Sequence, residues 1–141
     1  DIYIYADVYK GDEAGLSPGF GISLVGESTT GALIHSDYIG EAGGTPEAVG
    51  KKTAKALLSE IAKGGFFSFS SNWFMLLLMS LTVDNLNRAS FGSLSEADYS
   101  LMEDIKAVLG VSFKIKRPSA DGPFFLSCIG SGYINFNQRM H

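Results

Sequence analysis

The sequence has few of the side chains on which disulfide-bonded and zinc-binding proteins depend. Its 141 residues include one cysteine, Cys128, and two histidines. A single cysteine cannot form an internal disulfide, and no cysteine–histidine cluster has the spacing of a structural zinc site. The single thiol fits a protein of a reducing compartment. We therefore predict no metal site and no cofactor.

An excess of positive charge and a long hydrophobic run are also missing. The formal net charge of −4 argues against a protein that coats nucleic acid non-specifically, because such binding needs many Lys and Arg side chains. The longest apolar run, residues 66–81, contains Ser and Asn and is shorter than the roughly 20 apolar residues that span a bilayer. We predict no membrane association. The hydrophobic content of 45% is enough for a sizeable core.

The first 39 residues have the alternating pattern of a β-rich segment. In residues 2–9 apolar side chains alternate with Tyr and Asp, which predicts a strand, and two more strands are predicted over residues 19–27 and 31–39. A turn that ends at Gly31 separates the last two. We expect the glycines here to shape hairpins and permit close packing, with a ligand-binding loop as the alternative.

The sequence starts inside the first predicted strand, with Asp1 and no methionine. N-terminal residues of a domain are usually loose, so a strand at the first residue is unusual for a complete protein. We therefore expect the sequence to be one segment of a longer polypeptide.

Two helices are predicted from clear signals at their ends. The first begins with Thr45 as N-cap and ends at Gly64. The second follows a short strand, begins with the capping-box pair Ser95 and Asp98, and ends at Gly110. The residues predicted to face the core are Val49, Ala54, Leu57, Leu58 and Ile61 in the first helix, and Leu101, Met102, Ile105, Val108 and Leu109 in the second.

A strongly apolar helix is predicted between these two and ends at Leu81. Ser70 or Ser71 is expected to cap its start. Its side chains are hydrophobic all round, so we expect it to lie between other layers of the fold. The aromatic side chains of residues 66–73 are predicted to pack in the core, with an interaction surface as the alternative.

Two groups of basic residues are candidate sites for RNA or a partner protein. The first group lies on one side of the first predicted helix and comprises Lys51, Lys52 and Lys55. The second lies in and just after the predicted strand VSFKIK and comprises Lys114, Lys116 and Arg117. A solvated surface is the alternative interpretation. The loop RPSADG is predicted to join this strand to PFFLSCI as an antiparallel hairpin.

Five motifs follow one another in a characteristic order: GLSPGFGISLVGESTTGALI, TAKALLSEIAKGG, LLLMSL, LGVSFKI and LSCIGSGY. Together they resemble the C-terminal part of the RNA 3'-terminal phosphate cyclase family, most closely its eukaryotic nucleolar branch, the cyclase-like proteins of ribosome biogenesis. The resemblance extends over nearly the whole chain and is poorest at residues 66–73.

The resemblance implies an α+β fold with mixed sheets, in which helices pack on one face and units of two helices on four strands repeat. It also implies the position of this segment in the family's domain order. Residues 1–39 are expected to form strand-rich hairpins and residues 45–141 the last repeat. The N-terminal half and the inserted domain of the family are expected to be absent from the chain.

The resemblance further implies that cyclase activity is lost. Cyclases of the family use a His nucleophile near the start of the helix after the short strand, and this His takes AMP from ATP. Here the region reads SLSEADYSLMED, with Ala97 at or next to the matching position. Neither His35 nor His141 fits the motif. An acid that relatives carry after the Gly-Gly is also missing, and Ser68 and Asn72 stand in that stretch. We predict no catalytic residue.

A metal-dependent nuclease is a weaker alternative. Glu103 and Asp104 are carboxylates of the kind that hold Mg²⁺. Adjacent residues on a helix diverge by about 100°, so the two cannot easily serve one ion. A solvated helix face is the preferred interpretation.

The function implied by the resemblance is that of a non-catalytic assembly factor of the small-subunit processome. Such a factor acts in early processing of the small-subunit ribosomal RNA precursor, in the nucleus and nucleolus. The implied partners are a nucleolar GTPase and a pre-ribosomal particle that contains the precursor rRNA and small nucleolar RNA. One alternative is an RNA-processing enzyme, a cyclase or endonuclease, with active groups partly in the missing half. Another is an interaction domain unrelated to RNA.

Overall fold

A computed structural model describes residues 2–17, 19–83 and 85–134. These residues form two small antiparallel sheets and three α-helices, which confirms the α+β class. The elements in chain order are β1 (Gly21–Glu27), β2 (Leu33–Ile39), α1 (Pro46–Ala62), α2 (Asn72–Leu81), β3 (Leu86–Phe91), α3 (Glu96–Leu109), β4 (Lys114–Lys116) and β5 (Phe124–Ile129). No helix of the described ranges has the length and apolar content that crossing a membrane requires.

The β1–β2 hairpin forms where alternation and turn residues predict it. The register pairs Gly21 with Ile39 and Glu27 with Leu33. In the turn, the N–H of Gly31 donates to the carbonyl of Ser28 over 3.0 Å, and Gly31 has a φ of +82°. Only glycine adopts such a φ without steric cost. The predicted turn is therefore confirmed.

The predicted N-terminal strand is wrong for the residues that the structure describes. Residues 2–10 have no strand assignment, and all their side chains are exposed. Position 1 lies outside the described residues. A strand is stable when another strand supplies partners for its backbone N–H and C=O groups, and no described strand pairs with residues 2–10. Alternation alone therefore did not decide the structure of this segment.

Helix α1 packs on the β1–β2 sheet and begins as predicted. The hydroxyl of Thr45 accepts a hydrogen bond from the N–H of Ala48 over 3.3 Å, and Thr53 and Val49 are buried. Thr53 can be fully buried because its hydroxyl donates to the carbonyl of Val49 over 2.8 Å, which satisfies the polar group. Leu58 and Ile61, which were predicted to be buried, are instead exposed.

The second sheet has the order β3–β5–β4, and all its pairs are antiparallel. The predicted hairpin between β4 and β5 is confirmed. Helices α2 and α3 cover one face of this sheet, which we call the inner face. The largest buried apolar cluster of the described residues lies there and comprises Leu76, Met79, Phe91, Met102, Ile105, Val111, Leu126 and Cys128.

The second sheet has three strands in the described residues, one fewer than the predicted unit of two helices on four strands. The place next to β3 is taken by residues 66–67, where Phe67 forms an isolated parallel bridge with Phe91. The N–H of Phe66 donates to the carbonyl of Ser90 over 2.9 Å. Gly65 precedes this bridge, and a side chain on it would clash with the backbone of Gly92. The Gly-Gly that ends the first helix thus permits a close backbone approach.

Helix α3 has both of its predicted ends. Ser95 and Asp98 exchange the two hydrogen bonds of a capping box, and Gly110 follows the helix with a φ of +71°. Met102 and Ile105 are buried as predicted. Val108 is 80% exposed, which corrects its prediction, because it lies about 120° around the helix from the buried Met102.

Helix α2 is not enclosed by the described elements, contrary to the prediction. Leu76 and Met79 face the core, whereas Trp73, Phe74 and Leu78 are exposed. Among the described elements, α2 contacts β3, β5 and α3, which leave these three side chains uncovered. No side chain caps its start, although Ser71 precedes it.

The aromatic residues before α2 are only partly in the core. Phe67 packs on Phe91 with 5.9 Å between ring centroids. Phe66 and Phe69 are both exposed. Phe67 is half-buried and contacts one core residue, so core packing holds in part for Phe67 and is wrong for the other two.

Candidate functional site

The lysines of α1 are exposed, and one of them, Lys52, contacts an acidic and an aromatic side chain. The ammonium of Lys52 lies 3.8 Å from a carboxylate oxygen of Glu41 and 4.5 Å from the centroid of the Tyr38 ring. Lys51 and Lys55 form no ion pair within 4 Å among the described residues. An exposed ion pair such as that of Lys52 contributes little to stability, so all three cations face solvent.

The second predicted group divides into two parts. Arg117 supports the β4–β5 hairpin, because its guanidinium lies 4.5 Å from the centroid of the Phe124 ring and its Nε donates to the carbonyl of Gly122 over 3.2 Å. Lys114 and Lys116 lie two residues apart on β4 and are both exposed. Side chains two residues apart on a strand point to the same face.

The two basic groups do not form one cluster. The hairpin comes close to the end of α1, where a side chain on Gly64 would meet Pro123 at 3.6 Å. Lys55 lies nine positions before Gly64, which is about 14 Å along a helix axis. The α1 lysines therefore form a surface separate from that of Lys114 and Lys116.

Arg88, which the sequence analysis missed, joins Lys114 and Lys116 on the outer face of the second sheet. Arg88 on β3 is paired with Ser127 on β5, and Ser127 is paired with Lys114 on β4. Directly paired residues in an antiparallel sheet project from the same face, about 5 Å apart. The alternation of LNRASF could have placed Arg88 on this face, but its neighbours depend on the strand register.

An aromatic side chain lies among these cations. Phe125 on β5 is paired with Lys116 and is 46% exposed. A groove of about 290 Å³ on this face is lined by Arg88, Lys116, Phe125 and Ser127, among others. Arg88, Lys114 and Lys116 have no carboxylate within 4 Å among the described residues. We call Arg88, Lys114, Lys116 and Phe125 the outer-face group.

A second cleft, of about 380 Å³, contains His35, Asp37 and Ser70. The hydroxyl of Ser70 lies 3.2 Å from Nε2 of His35, and a carboxylate oxygen of Asp37 lies 3.8 Å from the same nitrogen. A catalytic triad needs the hydroxyl and the carboxylate on opposite ring nitrogens. This arrangement therefore lacks the geometry of a hydrolase.

The start of α3, where the resemblance predicts the family's nucleophile, is occupied by the chain's own hydrogen bonds. Asp98 is 5% exposed, and its carboxylate accepts from the N–H of Ser95 over 2.8 Å, the hydroxyl of Ser95 over 2.9 Å and the amide of Asn72 over 3.2 Å. Ala97 supplies only a methyl group. The described residues therefore place no histidine at this helix start.

Ser68 and Asn72, which stand where relatives are expected to carry other side chains, connect separate elements. The hydroxyl of Ser68 accepts from the N–H of His35 over 2.6 Å and donates to its carbonyl over 3.1 Å. Asn72 donates to the carbonyl of Ser93 over 2.8 Å and to Asp98. Both residues are buried. Their geometry indicates structural roles.

The acidic residues of α3 do not form a metal site in the described part of the chain. No group of three His, Cys, Asp or Glu side chains there could hold an ion. Glu103 and Asp104 are both exposed. Their positions agree with a solvated helix face.

Comparison with known proteins gives the relationship of the chain. Residues 1–62 match the family model of the RNA 3'-terminal phosphate cyclase insert domain. The rRNA processing protein rcl1 of Schizosaccharomyces pombe is 37% identical over 142 residues, which cover 99% of this chain and 39% of that protein. The chain belongs to the RNA 3'-terminal phosphate cyclase family.

Other members with similar coverage carry cyclase-like names. A probable RNA 3'-terminal phosphate cyclase-like protein of Dictyostelium discoideum is 33% identical over 96% of this chain and 40% of its own length. The human RNA 3'-terminal phosphate cyclase-like protein is 32% identical over 99% of this chain and 40% of its own length. The chain thus spans about two fifths of the length of these relatives.

The match to the insert domain differs from the sequence analysis, which placed that domain outside the chain. The match ends at residue 62, the last residue of α1, and α1 packs on the β1–β2 hairpin. The division of the chain into residues 1–39 and 45–141 stays a prediction.

Proposed function

We propose that this chain is part of a non-catalytic assembly factor of the small-subunit processome. The factor acts in early processing of the small-subunit ribosomal RNA precursor, in the nucleolus, together with a nucleolar GTPase. It joins a pre-ribosomal particle that contains this precursor and small nucleolar RNA. One relative is named as an rRNA processing protein, which supports the RNA-processing part of this proposal.

The observation that carries the non-catalytic part is the start of α3. A covalent nucleophile needs an imidazole or similar group with space to attack a phosphate. Here Ala97 offers no such group, and the carboxylate of Asp98 takes three hydrogen bonds from the chain itself. The N-terminus of a helix binds anions through free N–H groups. At this terminus the hydroxyl of Ser95 accepts from the N–H of Asp98, which removes one of them.

The histidine of the described chain does not replace the missing nucleophile. His35 lies on β2, and its ring contacts Ser70 and Asp37. Its backbone is held by Ser68. These contacts fix the residue in the hairpin sheet and give it no hydrogen bond to α3.

The proposal is tested by sedimenting an extract of cells that express the tagged full-length parent protein. We expect the tagged protein in a large particle, with small-subunit precursor rRNA and a GTPase recovered by purification. Free sedimentation without precursor RNA would overturn the assembly role. Formation of a covalent adenylate from labelled ATP by the purified protein would overturn the non-catalytic assignment and favour an RNA-processing enzyme.

A further inference from the structure

The outer face of the second sheet is open, positively charged and partly aromatic. The pairings Arg88–Ser127–Lys114 and Phe125–Lys116 place the charged groups and the aromatic ring on one surface. Helices α2 and α3 occupy the opposite face, where the buried cluster lies. Side chains on this outer face are therefore available to a ligand.

The outer face carries a local positive charge, whereas the whole chain is negatively charged. The chain carries a net charge of −4, yet three cations share this face. Strands in a sheet lie about 4.8 Å apart, so Arg88 and Lys114, which flank β5, have backbones about 10 Å apart. Their separation fits contacts with successive anionic groups along an extended chain.

The aromatic ring indicates which polyanion fits best. Phe125 on the central strand is paired with Lys116 on β4 and with Ser90 on β3, lies diagonally from Arg88, and is 46% exposed. A phenyl ring gains little from an acidic peptide, whereas any unpaired nucleobase can stack on it. Exposed sheet aromatics beside basic side chains are a common arrangement for single-stranded RNA, whose bases can be splayed out.

We propose that the outer-face group binds single-stranded RNA, with Arg88, Lys114 and Lys116 contacting phosphates and Phe125 stacking on a base. Arg117 takes no direct part, because it packs on Phe124 and bonds the hairpin backbone. This inference rests on the proposed role in rRNA processing and names the RNA contact that this role would use.

The test measures the affinity of the 141-residue chain for a fluorescein-labelled oligouridylate of about 12 nucleotides by fluorescence anisotropy. Neutralising the face with R88Q/K114Q/K116Q is expected to flatten the salt dependence. Three phosphate contacts give a slope of log K against log salt of about −2 on a single strand. The comparison variant, K51Q/K52Q/K55Q, removes the same charge from the other candidate group and is expected to leave the slope unchanged, because the proposal assigns the phosphate contacts to the outer face.

The stacking contact is tested separately from the charge. F125A is expected to weaken RNA binding about 5- to 100-fold, the value for loss of one stacked base. F125Y keeps an aromatic ring and is expected to bind as the unchanged chain does. This pair also separates loss of stacking from loss of folding, which circular dichroism checks.

Three outcomes would overturn the proposal. The first is equal weakening by the α1 and outer-face charge variants, which would mean non-specific attraction. The second is competition by an oligoglutamate peptide as strong as competition by RNA, which would mean an acidic protein ligand. The third is absence of RNA binding. If RNA binding is absent while the full-length parent still sediments with precursor rRNA, the RNA-binding face is wrong and the assembly role stands.

Discussion

The two sheets of the chain are covered to different extents. The β3–β5–β4 sheet has two helices on its inner face and a continuous cluster of buried apolar side chains. The β1–β2 sheet has one helix, α1. The buried residues of this region include the polar Ser36 and Thr53 beside Ala32, Ile34 and Val49. Because apolar burial is the main source of stability, we expect the second sheet to be the more stable region.

The weaker region is held to the stronger one through the segment between α1 and α2. Residues 66 and 67 lie beside β3, and Ser68 bonds both backbone groups of His35 at the edge of β2. The Ser68 hydroxyl thus satisfies the N–H and C=O groups that a neighbouring strand would otherwise pair with at this edge. The hairpin sheet thus depends on specific polar bonds, whereas the second sheet depends on packing.

The largest effect is expected from Phe91→Ala on the inner face of the second sheet. Phe91 is fully buried, and loss of its ring should lower the free energy of unfolding by about 3–5 kcal/mol. Urea unfolding followed by circular dichroism measures this. Phe125→Ala makes the same substitution on the outer face of the same sheet and should cost much less. Equal losses would contradict the assignment of inner and outer faces.

A smaller effect is expected from Asp98→Ala at the start of α3. The substitution removes the acceptor of three hydrogen bonds, one of which comes from the side-chain amide of Asn72. We expect a loss of about 2 kcal/mol in unfolding free energy. The control is Asp104→Ala on the exposed side of the same helix, which should change stability by less than about 0.5 kcal/mol. A neutral Asp98→Ala would show that the capping box is dispensable.

Ser68→Ala should lower the free energy of unfolding less than Asp98→Ala does, and it tests whether the β1–β2 region can be weakened without the second sheet. It leaves the N–H of His35 without its acceptor, at about 1–2 kcal/mol, and the loss should be local to β2. Hydrogen exchange should become faster at the His35 amide and stay unchanged in β3 and β5. Ser70→Ala, which removes an exposed hydroxyl beside the same histidine, is the control. Unchanged exchange at His35 would mean that Ser68 does not hold this edge.

The parts of the fold that could be predicted from the sequence depend on neighbours a few residues away. The N-cap at Thr45, the capping box at Ser95 and the turn at Gly31 each need a bond to a residue three or four positions along the chain. The strand expected at residues 2–9 failed because a strand needs a partner that the pattern does not name. Trp73 was misplaced for the same reason, since its exposure depends on which elements surround α2.

The candidate site was harder to predict because it spans distant parts of the sequence. Lys114 and Lys116 could be found as a cluster in one strand. Arg88 joins them only through the register of β5, and no local pattern states a register. The bond between Ser68 and His35 joins residues 33 positions apart, so it was equally hidden.

The smallest effect expected at neutral pH is the alkylation of Cys128. This native thiol lies in the second sheet, so its labelling rate measures how often that sheet opens. Burial raises the pKa of this thiol, because desolvation disfavours the thiolate. The folded state therefore holds the thiol proton more tightly than the unfolded state does. The contribution of this thiol to the free energy of unfolding is fully present below the unfolded-state pKa and is lost as the pH rises through the folded-state pKa. At neutral pH we expect an alkylating reagent to react only when the sheet opens, so Phe91→Ala should speed labelling and Ser68→Ala should not. Fast labelling of the unchanged chain would mean that the second sheet is not the more stable region. Equal acceleration by Ser68→Ala and Phe91→Ala would mean that the two regions open together.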